Sequence, residues 1–199
     1  MKGPHDAVIL AAGGSRRLGR PKQLLTADGE TLLARASRLV AGTRPGKTVA
    51  VVGAFAERMC GHLNGAVAVF NPEWASGMAS SLHLAADALA GRHDPVLVVI
   101  VDQLALDEAH LRRLLAAHDG SRDTVTAYAD AMGVPAVLRA ATLARATTLD
   151  GDVGFRALWA DETPLVLRAD AFAVDLDTED DVARAVAAGQ LDRASLSRM

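Results

Sequence analysis

The residues best suited to chemistry in this chain are 13–22, GGSRRLGRPK. Glycines let backbone N–H groups approach an anion closely, and Arg16, Arg17, Arg20 and Lys22 add fixed positive charge. The chemistry this composition suits is phosphate binding. Its competitor is a glycine-rich turn with solvated charges. Three familiar phosphate loops do not fit. Gly14 to Gly19 matches GxxxxG, but Arg20-Pro21 stand where a P-loop needs Lys-Ser/Thr, and Pro21 has no N–H to offer. The spacing is not GxGxxG, so a dinucleotide fingerprint fails. The HRD and DFG signatures that accompany a kinase glycine loop are absent. The second candidate is Asp102, which follows the most apolar run in the chain. A triphosphate pocket needs a magnesium ligand, and Mg²⁺ takes one or two carboxylates plus phosphate oxygens. A plain salt bridge to the nearby cations is the alternative role for this acid.

These side chains must be positioned by the elements around them. Residues 7–12 form a short apolar run that reads as a buried strand opening into the glycine loop. Residues 95–101, PVLVVIV, have the continuous hydrophobicity of a strand buried on both faces, which places it centrally beside the first. In open α/β sheets ligands gather outside the carboxyl ends of central strands, so Asp102 should point toward the loop. Between them, residues 30–41 read as a helix with Leu32, Leu33, Ala36, Leu39 and Val40 on one face. Further strands are expected at 48–52, 66–70, 124–127, 166–167 and 172–176, with helices at 54–63, 79–89 and 107–118. A last helix runs to Val186, capped by Thr178 or Asp177 with acids at its positive end. Alternating strands and helices predict an α/β fold with a parallel sheet.

Taken in order, Leu10-Ala11-Ala12-Gly13, Arg17-Leu18-Gly19 and Pro21-Lys22-Gln23 resemble the signature LAAGxSxRLGxxK. It belongs to the MobA/MocA-like nucleotidyltransferases, related to molybdopterin cytidylyl- and guanylyltransferase. The resemblance extends from about Ala7 to Asp181 and is most specific in its first segment. It implies a Rossmann-like three-layer α/β/α sandwich of the nucleotide-diphospho-sugar transferase type, mostly parallel with an antiparallel strand. It implies that Leu10, Ala11, Ala12, Gly13, Gly14 and Ser15 wrap a nucleoside triphosphate, with Arg17 and Lys22 neutralising it. Asn71-Pro72-Glu73-Trp74 followed by Gly77 and Ser80-Ser81 is similar to the family's NPxW…G…SL, which puts Gly77, Ser80 and Ser81 against base or ribose. Capping of the next helix is the simpler role for such residues. Residues 133–138 resemble GVPAxL, implying an acceptor side that includes Gly133 and Pro135, and residues 151–156 resemble GDxGxR, where Asp152 orients substrate or metal or merely caps a helix. Residues 175–181 resemble DxDTxED. Asp175, stepping off a strand end, is the preferred second magnesium ligand beside Asp102, with Asp177 the alternative.

The implied reaction is nucleotidyl transfer. A phosphate on the acceptor attacks the α-phosphorus and pyrophosphate leaves, with Arg17, Lys22, Asp102 and Mg²⁺ as the catalytic set. The acceptor phosphate is already ionised, so no strong general base is required. Ala12 and Pro21 stand where guanylyl-transferring relatives read Gly and Asp, which favours CTP and a molybdopterin-like acceptor. A molybdoenzyme or its chaperone is then a partner protein. GTP, a sugar- or isoprenoid-phosphate acceptor, and a non-catalytic nucleotide- or cofactor-binding chaperone remain the alternatives. One departure stands out: relatives read DQP where this chain has Asp102-Gln103-Leu104.

Composition bounds the rest. The 199 residues suit a single domain with its core over about residues 6–187 and a frayed polar tail at 188–199. Half the residues are hydrophobic and only 4% aromatic, so the core must be Ala, Val and Leu packing. A net charge of -3 argues against a nucleic-acid partner. One cysteine, Cys60, forms no internal disulfide and fits a reducing cytoplasm. The first residues lack the apolar core of a signal peptide, and no apolar run is long enough to span a bilayer. The six histidines are scattered, outside any HExxH spacing, and read as surface or helix filler.

Overall fold

A computed structural model describes residues 3–128, 131–151, 153–159, 162–173 and 176–196. Its nine strands are β1 (Asp6–Ala11), β2 (Thr26–Ala27), β3 (Glu30–Thr31), β4 (Thr48–Val52), β5 (Val67–Phe70), β6 (Val96–Ile100), β7 (Thr124–Tyr128), β8 (Ala131–Leu138) and β9 (Leu165–Arg168) among the described residues. The helices are α1 (Leu32–Gly42), α2 (Ala56–Met59), α3 (Met78–Ala88), α4 (Glu108–Ala117), α5 (Ala140–Arg145) and α6 (Glu179–Ala187).

Seven strands form one sheet in the order β5-β4-β1-β6-β8-β7-β9. Strand β1 pairs in parallel with β4 on one side and β6 on the other. Only β8 runs against its neighbours β6 and β7. The chain leaves β1 toward β4 and β5, then returns to β6 on the opposite side. That reversal opens a crevice at the carboxyl ends of β1 and β6, the switch point where α/β sheets bind ligands.

Strict alternation in the two central strands builds the layers. Ala7, Ile9, Ala11, Leu97, Val99 and Val101 face a core shared with Leu33, Leu39 and Val40 of α1 and Leu111 and Leu114 of α4. Val8, Leu10, Ala12, Val96 and Val98 face a second core with Leu82 and Ala85 of α3 and Leu143 of α5. A pleated strand sends neighbours to opposite faces, so a run apolar at every position demands a layer on each side. Truncating a fully buried Leu such as Leu33 should cost about 2–5 kcal/mol.

A third apolar cluster joins Leu18 and Leu25, flanking the cationic loop, to Leu32, Leu176, Val182 and Leu191. It fastens the loop to α6, whose first turn carries a reciprocal capping box between Thr178 and Asp181.

Several expectations are corrected. The segment expected to be helical at 54–63 is one short turn, α2, followed by a 3-10 turn at Cys60–His62. Residues 172–173 belong to a 3-10 turn, Asp170–Ala173, rather than to a strand. There the ring of Phe172 turns into the core, 4.7 Å from that of His110. The tail does not fray where it is described. Leu191 and Ser195 are buried, and the Asp192 carboxylate accepts from the N–H groups of Asp28 and Gly29 in the β2–β3 turn. His5, His110 and His118 are buried rather than superficial, because each ring meets a threonine hydroxyl, of Thr43, Thr126 and Thr124 respectively. No helix among the described residues is long and apolar enough to cross a membrane.

Candidate active site

The loop that follows β1 turns back on itself. Ser15 holds a left-handed backbone with φ of 47°, and its hydroxyl accepts the N–H of Lys22 at 3.2 Å. The Gly19 N–H bonds the Ser15 carbonyl at 2.9 Å. The carbonyl of Ala12 accepts from Ala54 N–H, and those of Ala11 and Gly13 accept from the Gln23 amide. Carbonyl dipoles are thereby engaged within the protein. By contrast, among the described residues the backbone N–H groups of Gly13, Gly14, Ser15, Arg16 and Arg17 have no protein acceptor. Successive unengaged N–H groups beside cations make an anion cradle.

Asp102 steps off β6 directly toward this loop and pairs with the Lys22 ammonium. The same ammonium lies 3.4 Å from Asp177, which also pairs with Arg17. Burial, the largest influence, lowers the Lys22 pKa, but Asp102 and then Asp177 together outweigh it and hold it above the ordinary value. Lys22 is therefore a cation held between two carboxylates. Arg20 is buried and grips Glu179 with two bonds, of 3.0 and 2.8 Å, fixing the loop to α6 rather than facing a ligand.

Three cavities meet at these residues. The first, about 250 Å³, is lined by Leu10, Ala11, Ala12, Gly13, Gly77 and Ser81, with Lys22 and Asp102 at its edge. The second, about 370 Å³, follows the loop through Gly13, Gly14, Ser15, Arg16 and Arg17 to Asp177. The third, about 310 Å³, shares Asp102 and Asp177 and opens toward Gly133, Val134 and the apolar side chains of Met78, Met132, Phe155 and Trp159.

The structure therefore brings together Leu10 through Ser15, Arg17, Lys22, Gly77, Ser81, Asp102 and Asp177, with Gly133 on the far side. Two expected residues stand elsewhere. The Ser80 hydroxyl donates to the carbonyls of Gly77 and Glu73 and lines none of the three cavities. Pro135 is buried, its carbonyl accepting from Thr126 at 2.7 Å, and Gly133 and Val134 line the cavity in its place. Asp152 and Asp175 lie outside the described residues.

Sequence reasoning passed over Trp74, which lines both loop-side cavities. Its ring lies so close to Gly14, and its Cβ to Gly53, that a methyl group at either glycine would collide with it. The Arg16 guanidinium sits 5.6 Å above that ring, within cation–π range. The signal was present in Asn-Pro-x-Trp, but pairing it with two distant glycines requires the fold. Asn71 is likewise buried and donates to both Ser80 and Ser81 at 2.9 Å, holding the start of α3 against the pocket.

Among the described residues no group of three or more His, Cys, Asp or Glu side chains forms a ready metal site. Asp102 and Asp177 nonetheless suit a hard divalent cation. They are two oxygen donors already converging on one positive charge, and such ions complete their shell with phosphate oxygens and water.

A family model described as "MobA-like NTP transferase domain" matches residues 7–171. The chain is similar to nicotine blue oxidoreductase from Paenarthrobacter nicotinovorans, 40% identical over 162 residues, 75% of this chain and 78% of that protein. It is also similar to the crystal structure of Rv0371c from Mycobacterium tuberculosis H37Rv, with a TM-score of 0.78 and 27% identity, covering 93% of this chain and 99% of the other. A crystal structure of Rv0371c in complex with manganese gives a TM-score of 0.75 and 25% identity, over 92% of this chain and 97% of that one.

Proposed function

The chain belongs to the MobA-like NTP transferase family, and from that premise we propose that it moves a nucleoside monophosphate from a nucleoside triphosphate, CTP in preference to GTP, to a phosphorylated acceptor of the molybdopterin type, releasing pyrophosphate. One observation carries the proposal. Lys22 stands between Asp102 and Asp177, and the three cavities meet at this trio, beside a row of backbone N–H groups without acceptors among the described residues. Triphosphate oxygens suit the N–H groups with Arg17 and Lys22, the base suits the first cavity, and the acceptor suits the third. Ala12 and Pro21 support CTP through their resemblance to the cytidylyl type.

Asp102 and Asp177 would hold a divalent cation, Mg²⁺ in this proposal; a neighbouring structure carries manganese. When bound, that ion would neutralise phosphate oxygens and stabilise the leaving pyrophosphate. The chain's own work is alignment and charge neutralisation. The loop N–H groups fix the triphosphate, and Lys22 exchanges its carboxylate partners for phosphate oxygens as charge grows on them. The acceptor phosphate is already an anion at neutral pH, so no histidine base is needed. A reducing, cytoplasmic setting is part of the proposal and agrees with the free, exposed Cys60. A molybdoenzyme or its chaperone is the proposed recipient of the product.

The test is pyrophosphate release by purified protein with Mg²⁺, each of the four triphosphates and molybdopterin cofactor. Release with CTP is expected. Preferential stabilisation and turnover with GTP would reverse the nucleotide preference. Stoichiometric binding without pyrophosphate release would instead make the chain a binding module.

A second reading is favoured by the 40% identity to an oxidoreductase. In it the loop holds the diphosphate of a dinucleotide electron donor, and the third cavity, walled by Tyr128, Phe155 and Trp159, holds an aromatic electron acceptor. Oxidation of NADH or NADPH with a quinoid dye, alongside absent pyrophosphate release, would select this reading.

A further inference from the structure

Gln23 is among the most buried polar side chains of the described residues, 1% exposed. It sits in the same 3-10 turn as Lys22, Lys22–Leu24. Its amide nitrogen donates to the carbonyl of Ala11 at 2.9 Å and to that of Gly13 at 2.8 Å. Carbonyl oxygens on both sides require the NH₂ end of the amide, so its orientation follows from its acceptors. The other end, Oε1, is buried with no hydrogen-bond partner among the described residues. A buried acceptor without a donor is unfavourable, so the arrangement is set by what the nitrogen does.

What the nitrogen does is turn two carbonyl dipoles inward. With the Ala12 carbonyl taken by Ala54 N–H and that of Ser15 by Gly19 N–H, four carbonyls around the loop face protein donors. The N–H groups of residues 13–17 are correspondingly left without protein acceptors among the described residues. A carbonyl released toward the cavity would confront an anionic ligand with negative charge and remove an N–H from alignment.

We infer that Gln23 is a positioning residue: its amide pins the Ala11 and Gly13 carbonyls away from a polyphosphate held by the N–H groups of the loop. The inference rests on the phosphate-binding part of the proposed function and deepens it, because it assigns polyphosphate affinity to a side chain that touches no phosphate.

The probe is inorganic tripolyphosphate, titrated calorimetrically into the wild type, Gln23→Met and Gln23→Glu, with thermal unfolding as the check on folding. Gln23→Met keeps the size of the side chain and removes both donors. Its tripolyphosphate affinity should fall by about tenfold or more, the effect of losing a hydrogen-bond partner. Gln23→Glu sets a carboxylate against two carbonyls and should fall further. Gln23→His, which retains one donor, should lie between the wild type and Gln23→Met. In turnover the loss should appear in KM for the triphosphate, with kcat changed by less than about threefold, since the clamp acts before chemistry. A folded Gln23→Met with affinity within about twofold of wild type, well below one lost hydrogen bond, would overturn the inference. If the wild type itself ignored tripolyphosphate, the phosphate-binding loop and Gln23's role would fall together. If it bound tripolyphosphate, lost it in the variants and still released no pyrophosphate, the clamp would stand and only nucleotidyl transfer would be refuted.

Discussion

At the amino end of the sheet, Asp6 and Asp123 are the most buried acids among the described residues, and protein groups enclose both. Asp6 accepts from Lys47 N–H at 2.9 Å and from the Arg92 guanidinium at 2.7 Å. Asp123 accepts from Arg139 N–H, the Thr142 hydroxyl and the Trp159 indole, each at 2.9 Å. At the carboxyl end, Asp102 and Asp177 are held by the long, partly exposed side chains of Lys22 and Arg17, beside N–H groups that have no acceptor among the described residues. One end is closed and the other is left incomplete. The loop N–H groups belong to exposed or half-buried residues that line cavities, so an anion can take the place of the water that serves them there.

This contrast can be broken by exchanging the consequences of mutation at the two ends. Asp123→Ala should give the largest effect on stability, about 3–5 kcal/mol, because it leaves the buried Trp159 indole and Thr142 hydroxyl without their acceptor and Arg139 without its buried counter-charge. Thermal unfolding should show it, while turnover per folded molecule stays near wild type. Asp102→Ala and Lys22→Ala should do the reverse. Each should cost about 3 kcal/mol of barrier, roughly a hundredfold in pyrophosphate release, with the fold intact. Near-wild-type turnover in both would reject the site. A smaller test lies between them: Thr178→Ala removes the α6 cap next to Asp177 and should cost about 1 kcal/mol of stability by denaturant titration.

The gentlest probe is pH. Burial pushes His5, His110 and His118 below the ordinary imidazole value, opposed by Asp6 and Asp94 at His5 and by Asp123 and Asp119 at His118, and reinforced by Arg113 at His110. In the fold these rings stay neutral where the unfolded chain, titrating near 6.5, already takes up protons. The unfolded state then binds more protons, so stability is full above that value and declines as pH falls toward the lowered folded values. Denaturation midpoints measured from pH 8 to pH 5 should drop on the acid side, and replacing His5 with Gln should flatten the slope.

Much of the central architecture was legible from pattern alone. Residues 95–101 announced a doubly buried strand, and the face shared by Leu33, Ala36 and Val40 announced the helix that covers it. The edges were unevenly legible. Strand β5 was legible although largely exposed, whereas the Asp170–Ala173 turn carries a strand-like composition but no sheet partner among the described residues, so local preference was overridden by packing there. The Asp28-Gly29 hairpin turn, with φ of 53° and 76°, was written in the sequence as a common turn pair but went unread.

By itself the sequence determined the elements and the candidate chemistry: a strand that must be covered on both faces, a glycine loop with four cations, and an acid stepping off an apolar run. Hydrophobic periodicity and glycine content act over a few residues, so they can be read without contacts. Only the tertiary structure decided the pairings across the chain. It set Asp177 with Asp102 around one ammonium, assigned Arg20 to Glu179 instead of a phosphate, and brought Trp74 over Gly14 and Gly53. Such pairings depend on strand order and on the docking of α6. Charge and shape then select partners far apart in the chain, 160 positions for Arg17 and Asp177, and no local pattern records that choice.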